Sequence, residues 1–247
     1  MANIFAREEK KFLLTKQQAE LLKEYFDEYL KKDVFHQYKI CNIYYDTRNF
    51  DMFRRSCEKP VYKEKLRLRT YGTPKLTDEA YLEVKKKYKG TVYKRRMQLP
   101  LQEAYCMIDD NMQREAEDIN EKEIRYLLER YDVIPQVYLS YEREAYVWHD
   151  NKDFRITFDY DMKYRMEQVG LEHGDEGQQI LEDDFVLMEL KCSQNLPYEF
   201  VRLLNEWEIF PRSFSKIGYV YNHYIVPNMK QQYGEEYLEK LSQVAFA

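Results

Sequence analysis

Hydrophobic and polar residues alternate with a period of two through most of this chain, which predicts a β-rich fold. The pattern is clearest over residues 62–99. There Lys63, Lys65, Arg67 and Arg69 share one face of a strand, against Leu66 and Leu68. After a turn, Tyr81, Glu83, Lys85 and Lys87 oppose Leu82, Val84 and Tyr88. Beyond a hairpin turn at Lys89-Gly90, Lys94, Arg96 and Gln98 oppose Tyr93, Met97 and Leu99. Successive strand side chains point to opposite sides of a sheet, so this segment predicts a three-strand meander with one cationic face.

Alternation recurs over residues 5–13, 36–46, 138–148, 155–161 and 185–191, which gives about eight strands. In the first of these, Arg7, Glu9 and Lys11 share a face. Later, Arg155, Thr157 and Asp159 oppose Phe154, Ile156 and Phe158, and Leu187, Glu189 and Lys191 oppose Val186, Met188 and Leu190. The period changes to a helical one over residues 16–30, where Thr15 and Gln18 form a capping-box pattern. It does so again over 101–131, ended by Pro135, and over 197–208. A short helix follows Asp46-Thr47, and the tail 227–247 reads as helical. Residues 167–184, with three glycines and many acids, read as a mobile excursion, and 212–219 as a loop. No linker divides the chain, so residues 1–247 are expected to form one domain.

Charge changes the picture. A strand face of charged residues is ordinarily a solvated outer surface. Here the charges on the meander are almost all positive, although the chain carries −5 overall. Like charges at alternate positions and on neighbouring strands repel, so an anion is expected to offset them. The Arg-Leu-Arg run suits forked recognition of phosphate. Amphipathic strands whose basic faces converge would make a barrel with a wet, cationic interior.

Composition mainly excludes. The scattered cysteines Cys41, Cys57, Cys106 and Cys192 form no CxxC pair, which points to reduced thiols in a cytoplasmic protein and away from zinc. No apolar run reaches the length of a membrane span, and the N-terminus is not a signal peptide. Phosphate-binding glycine loops and nucleophile elbows are missing. The aromatic residues mostly alternate away from the basic ones, which argues against nucleic acid as a partner.

The ordered pieces REEKKF, IYYDT, KLRLRTYG, YLEVKKK, YKRRMQL, SYEREAY, FRITFDYD, LMELK and FSKIGY resemble the VTC domain. That domain is the polyphosphate polymerase domain of the vacuolar transporter chaperone type, within the CYTH-like triphosphate tunnel metalloenzymes. The resemblance spans about residues 3–225. It implies an α+β fold: an eight-stranded antiparallel β tunnel with flanking helices, whose basic residues hold ATP, triphosphate or polyphosphate.

Carried over by motif, it implies phosphate contacts from Lys11, Arg67, Arg69, Lys85, Lys94, Arg96, Tyr141, Arg143, Arg155, Ser215 and Lys216, to which Lys65 and Lys191 are added from the same strand faces. Of these, Arg67, Arg69, Lys85, Arg143, Arg155 and Lys216 would act in catalysis. Glu189 would bind the metal, Mg²⁺ or Mn²⁺. Hydrolytic relatives commonly open with ExExK, whereas here the matching positions are Arg7, Glu9 and Lys11, which weakens a second metal site.

The implied reaction is transfer of the ATP γ-phosphoryl group onto a growing polyphosphate chain. The alternatives are an inorganic triphosphatase or nucleotide hydrolase of the tunnel type, and a non-catalytic polyphosphate-binding module. Translocation of a product would need a separate membrane partner.

Overall fold

A computed structural model describes residues 8–58, 60–110, 116–193 and 195–238 of the chain. Among these the chain forms β1 (Glu8–Thr15), β2 (Leu30–Thr47), β3 (Tyr62–Tyr71), β4 (Glu79–Tyr88), β5 (Thr91–Pro100), β6 (Val133–Trp148), β7 (Asn151–Arg165), β8 (Gln178–Gln179) and β9 (Phe185–Cys192). The helices are α1 (Lys16–Tyr25), α2 (Asp51–Cys57), α3 (Leu101–Asp110), α4 (Ile119–Arg130), α5 (Tyr198–Glu206), α6 (Lys216–Val220) and α7 (Val226–Tyr233). A π-helical turn, Tyr221–Ile225, joins the last two.

The strands hydrogen-bond in the order β1-β9-β7-β6-β2-β3-β4-β5, with β8 on β7. This corrects the expected eight-stranded closed tunnel. The sheet has nine strands, and among the described residues no ladder joins β5 to β1. Alternation dictates which face a residue takes but not how end strands pair, so an open sheet satisfies the same pattern. The charges Lys94, Arg95 and Arg96 on β5 blunt an exposed edge in the usual way.

The chain packs as two compact units interleaved in sequence. Unit 1 comprises Met1–Ile40, Ser140–Met162 and Leu181–Phe214. Unit 2 comprises Cys41–Leu139, Lys163–Ile180 and Ser215–Ala247.

In unit 1 the apolar halves of the alternating strands face a core of Phe12, Leu14, Phe154, Ile156, Phe158, Val186, Met188 and Leu190. The helix α1 starts with the capping box that its sequence predicts: Gln18 N–H donates to Thr15 Oγ1 at 3.1 Å, and Thr15 N–H to Gln18 Oε1 at 2.9 Å. Leu22 and Phe26 enter the core, where Phe26 stacks on Phe200 of α5 at 5.0 Å between ring centroids. Each such fully buried side chain contributes roughly 1.5–3 kcal/mol.

Unit 2 has its own core. Leu66, Leu68, Leu82 and Val84 from the meander meet Met107 of α3 and Ile124, Leu127 and Leu128 of α4. The single helix expected over 101–131 is two helices. Asp118 caps the second, accepting from Glu121 N–H at 2.8 Å, and residues 111–115 lie outside the described residues. Pro135, expected to mark a helix end, stands inside β6.

The expected mobile excursion is held in place. Arg165 donates to the carbonyls of Gln168, Gly170, Gly174 and Glu176 at 2.8–3.0 Å, with its guanidinium 3.6 Å from the Tyr138 ring centre. Only glycine fits at 177, since a Cβ there would stand 2.6 Å from the Tyr164 carbonyl oxygen. The expected 212–219 loop becomes α6 from Lys216 onward. Of the helical tail, α7 covers the start, and residues 239–247 lie outside the described residues.

Candidate functional site

The polar faces of the two units carry different clusters. In unit 2 the registers of β3, β4 and β5 align three rows: Lys65–Lys85–Lys94, Arg67–Glu83–Arg96 and Arg69–Tyr81–Gln98. Paired residues point the same way, so these rows form the cationic face that alternation predicts. Arg95 lies on the opposite face, where its Nε donates to Glu123 of α4 at 2.8 Å, so the Lys94 and Arg96 register is unambiguous.

Glu83 sits at the centre of these rows with 1% exposure. Arg67 Nε meets its Oε2 at 2.7 Å, while Lys94 Nζ and Arg96 Nε meet Oε1 at 2.6 and 2.5 Å. The Arg96 guanidinium also covers the Tyr81 ring at 4.4 Å. On β2, Tyr44 and Asn42 supply oxygens: Arg67 Nη1 donates to Tyr44 OH at 3.3 Å and Arg69 Nε to Asn42 Oδ1 at 2.9 Å. Lys65 Nζ donates to Ser215 Oγ at 3.1 Å, and that oxygen also accepts from Gly218 N–H, capping α6. Lys216 is buried, and Lys85 is exposed.

The electrostatics of this cluster are those of crowded cations. Burial pushes the Glu83 carboxyl up, but Arg67, Arg69 and Lys94 outweigh it and hold the group well below the usual carboxylate range. Burial lowers Lys65 to about 8. Burial also lowers Lys94 to about 8, aided by Arg96 and Arg67 and only partly offset by Glu83. Burial would raise the Tyr44 phenol, yet Arg67, Lys65 and Arg69 bring it down to about 8. A polyanion placed here would relieve the repulsion among these groups.

In unit 1 the registers of β1, β9 and β7 align Lys11–Glu189–Thr157 and, one step along, Glu9–Lys191–Arg155. Glu189 is 6% exposed. Lys11 Nζ stands 3.2 Å from Glu189 and 3.2 Å from Glu9, and also donates to the Phe214 carbonyl at 3.1 Å. Lys191 Nζ lies 3.7 Å from Glu189. Arg143 forks onto Asp159 at 2.6 and 2.7 Å and reaches Glu189 Oε2 at 3.4 Å, with its guanidinium 5.3 Å from the buried Tyr141 ring. Arg155, half exposed, pairs with Asp33. Four bases (Lys11, Arg143, Arg155 and Lys191) thus meet four acids (Glu9, Asp33, Asp159 and Glu189). Burial would lower the Lys11 ammonium, but Glu189 and Glu9 overcome it and hold its pKa above the ordinary value.

Among the described residues, no three His, Cys, Asp or Glu side chains converge as a metal cage. A Mg²⁺ or Mn²⁺ ion that serves phosphate needs less, since it takes one or two carboxylates and completes its shell with phosphate oxygens and water. Glu189 offers a buried hard carboxylate. Directly across the ladder, the buried Thr157 hydroxyl has no hydrogen-bond partner among the described residues. That donor set fits such an ion.

Sequence reasoning missed Asn42, Tyr44 and Asp159 as members of these clusters. The signal for the first two was the polar alternation Asn42, Tyr44, Asp46 within an otherwise apolar strand. Asp159 shares a face with Arg155 in the sequence, but nothing local marks it as the partner of Arg143, sixteen residues away. Arg7 lies outside the described residues.

The structure is similar to a candidate adenylate cyclase from Bacillus halodurans, with a TM-score of 0.52 and 14% identity over 85% of this chain and 95% of that one. It is also similar to a candidate adenylyl cyclase from Hippeastrum with a dominant triphosphatase activity. There the TM-score is 0.50 and the identity 15%, over 84% of this chain and 91% of that one. No curated protein matches the sequence significantly. The match to the VTC domain covers residues 6–222, and the chain belongs to that family.

Proposed function

We propose that this chain is a phosphotransferase of the polyphosphate polymerase type, which moves the γ-phosphoryl group of ATP onto the end of a polyphosphate chain. The observation that carries this reading is the set of aligned rows on β3, β4 and β5. They present Lys65, Arg67, Arg69, Lys94 and Arg96 around one acid, Glu83. Rows of cations at strand spacing suit a linear polyanion with a charge on every phosphate.

The chemistry asks little covalent help from the protein. A terminal polyphosphate oxygen, already an anion, attacks the γ-phosphorus. The bond from that phosphorus to the βγ-bridging oxygen breaks, and ADP leaves with the electron pair. Arg67, Arg69 and Arg96 would orient the phosphates and offset the charge that spreads over the transferred group. Lys65 and Lys94 would be charged when an anion is present, since it favours their protonated forms. In unit 1, Glu189 would hold Mg²⁺ or Mn²⁺, which when bound supplies charge neutralisation at phosphate oxygens. Lys11, Arg143 and Lys191 fix the Glu189 carboxylate in place. Tyr141 would support Arg143 from beneath, and Ser215 would keep Lys65 in place through their hydrogen bond. Arg155, Lys85 and Lys216 are proposed as further phosphate contacts.

Incubating the purified protein with ATP and Mn²⁺ and following the phosphorus NMR spectrum tests this. The expected result is growth of the internal-phosphate resonance of polyphosphate. Release of free phosphate alone would establish the hydrolase in its place, and an unchanged ATP spectrum with retained tripolyphosphate binding would establish a binding module.

A further inference from the structure

Thr157 occupies an unusual position for a hydroxyl. It lies within a strand that otherwise sorts its residues cleanly, with Phe154, Ile156 and Phe158 in the core. Thr157 takes the polar face, yet it is only 8% exposed. Its Oγ1 is buried and has no hydrogen-bond partner among the described residues. Leaving a buried hydroxyl unsatisfied costs about 1–3 kcal/mol, and Val in its place would fill nearly the same space without that cost. A hydroxyl kept at such a place therefore points to something that it serves.

Its neighbours say what that is. The antiparallel register sets Thr157 directly opposite Glu189, with Lys11 on the far side of Glu189. Both Glu189 and the adjoining Asp159 are carboxylates, and Arg143 spans them. A phosphate oxygen seated against Thr157 would lie one strand spacing, about 4.8 Å, from the Glu189 carboxylate and would be repelled by it. A divalent cation is attracted by Glu189, competes there with the singly charged Lys11, Lys191 and Arg143, and can take one oxygen from each of two neighbouring strands. Hydroxyl and carboxylate oxygens are both hard donors, as Mg²⁺ and Mn²⁺ prefer.

We propose that the Thr157 hydroxyl is a second protein oxygen for the divalent cation, acting beside Glu189. The proposal deepens the reading in which Glu189 binds a metal, and rests on it. It makes Thr157 a determinant of metal affinity and leaves the binding of the phosphate chain itself to other residues.

The test compares wild type, Thr157→Val, Thr157→Ser and Glu189→Gln. Free Mn²⁺ is followed by electron paramagnetic resonance in the presence of saturating tripolyphosphate, and metal-free tripolyphosphate binding is followed by calorimetry. Thr157→Val is expected to weaken Mn²⁺ binding about tenfold. Thr157→Ser should remain near wild type, and metal-free tripolyphosphate affinity should stay within about twofold for both. The melting temperature of the empty Val variant should hold or rise, because a buried hydroxyl without a partner has been removed. Unchanged Mn²⁺ affinity in Thr157→Val would overturn the proposal, and so would an equal loss in metal-free tripolyphosphate binding. If wild type and Glu189→Gln bind Mn²⁺ alike, the Glu189 reading has failed. If only Glu189→Gln is impaired, that reading stands and the role of Thr157 is refuted.

Discussion

Two polar sheet faces in this protein look alike in the sequence, with Lys and Arg at alternate positions, and they differ in charge balance. On β3, β4 and β5 of unit 2, Lys65, Arg67, Arg69, Lys94 and Arg96 gather around Glu83. On β1, β9 and β7 of unit 1, Lys11, Arg143, Arg155 and Lys191 are matched by Glu9, Asp33, Asp159 and Glu189. The first arrangement crowds like charges, and its lysines are lowered to about 8 as a consequence of burial and crowding. The second is balanced in charge and keeps Lys11 charged. On the function proposed above, the same kind of strand would serve two tasks, anion capture where bases outnumber acids and cation placement where they do not.

The comparison breaks most readily at Arg67. Its guanidinium bonds Glu83 and Tyr44 together, and it belongs to the row proposed above to hold phosphate. Arg67→Ala is expected to lower turnover by on the order of 10³-fold. It should also weaken metal-free tripolyphosphate binding in calorimetry, with a circular dichroism spectrum like that of wild type. Equal binding by the variant would remove unit 2 from the anion account.

A smaller effect follows from pH. Anion binding favours charged ammonium groups, so it raises the pKa of Lys65 and Lys94 above about 8 and takes up protons. Tripolyphosphate affinity should therefore be nearly flat below pH 7 and fall as pH rises from 7 to 9, by about tenfold for each lysine that must be charged. Calorimetry in buffers of different ionisation enthalpy should show proton uptake at pH 8. Affinity that rises with pH over this range would contradict the assignment.

The smallest expected effect is on stability. Glu83 is held below the usual carboxylate range, so its stabilising contribution is complete at neutral pH and is lost as pH falls through and below that range. Glu83→Gln should lower the melting temperature of the empty protein at neutral pH, because the cations around it lose their buried countercharge. Tripolyphosphate should restore more of it than in wild type, since the cations then lack their internal acid. Equal melting curves for variant and wild type, empty and loaded, would show that Glu83 does not restrain this cluster.

Much of this was legible along the chain because period-two alternation fixes faces. Lys65, Arg67 and Arg69 share theirs with Lys94 and Arg96, as expected, and Thr157 was already on the face of Arg155. What alternation cannot carry is pairing across distance. The closed tunnel was a matter of which end strands meet, and the ladders leave β1 and β5 unjoined among the described residues. The fork from Arg143 to Asp159 and the organisation of residues 166–179 by Arg165 depend in the same way on contacts that no local pattern records. Where a single side chain decided the outcome, as with the Asp118 cap that starts α4 after a break, the signal was present but outweighed by a long helical reading.

The division of tasks is tested most directly by one comparison: the gain in tripolyphosphate affinity that Mn²⁺ produces, measured by calorimetry for wild type and for Glu189→Gln. In metal-free buffer the variant should bind as tightly as wild type or more tightly, because one negative charge has been removed. Adding Mn²⁺ should strengthen wild-type binding and leave the variant nearly unmoved, since the ion has lost its buried carboxylate. An equal Mn²⁺ gain in both proteins would contradict the account.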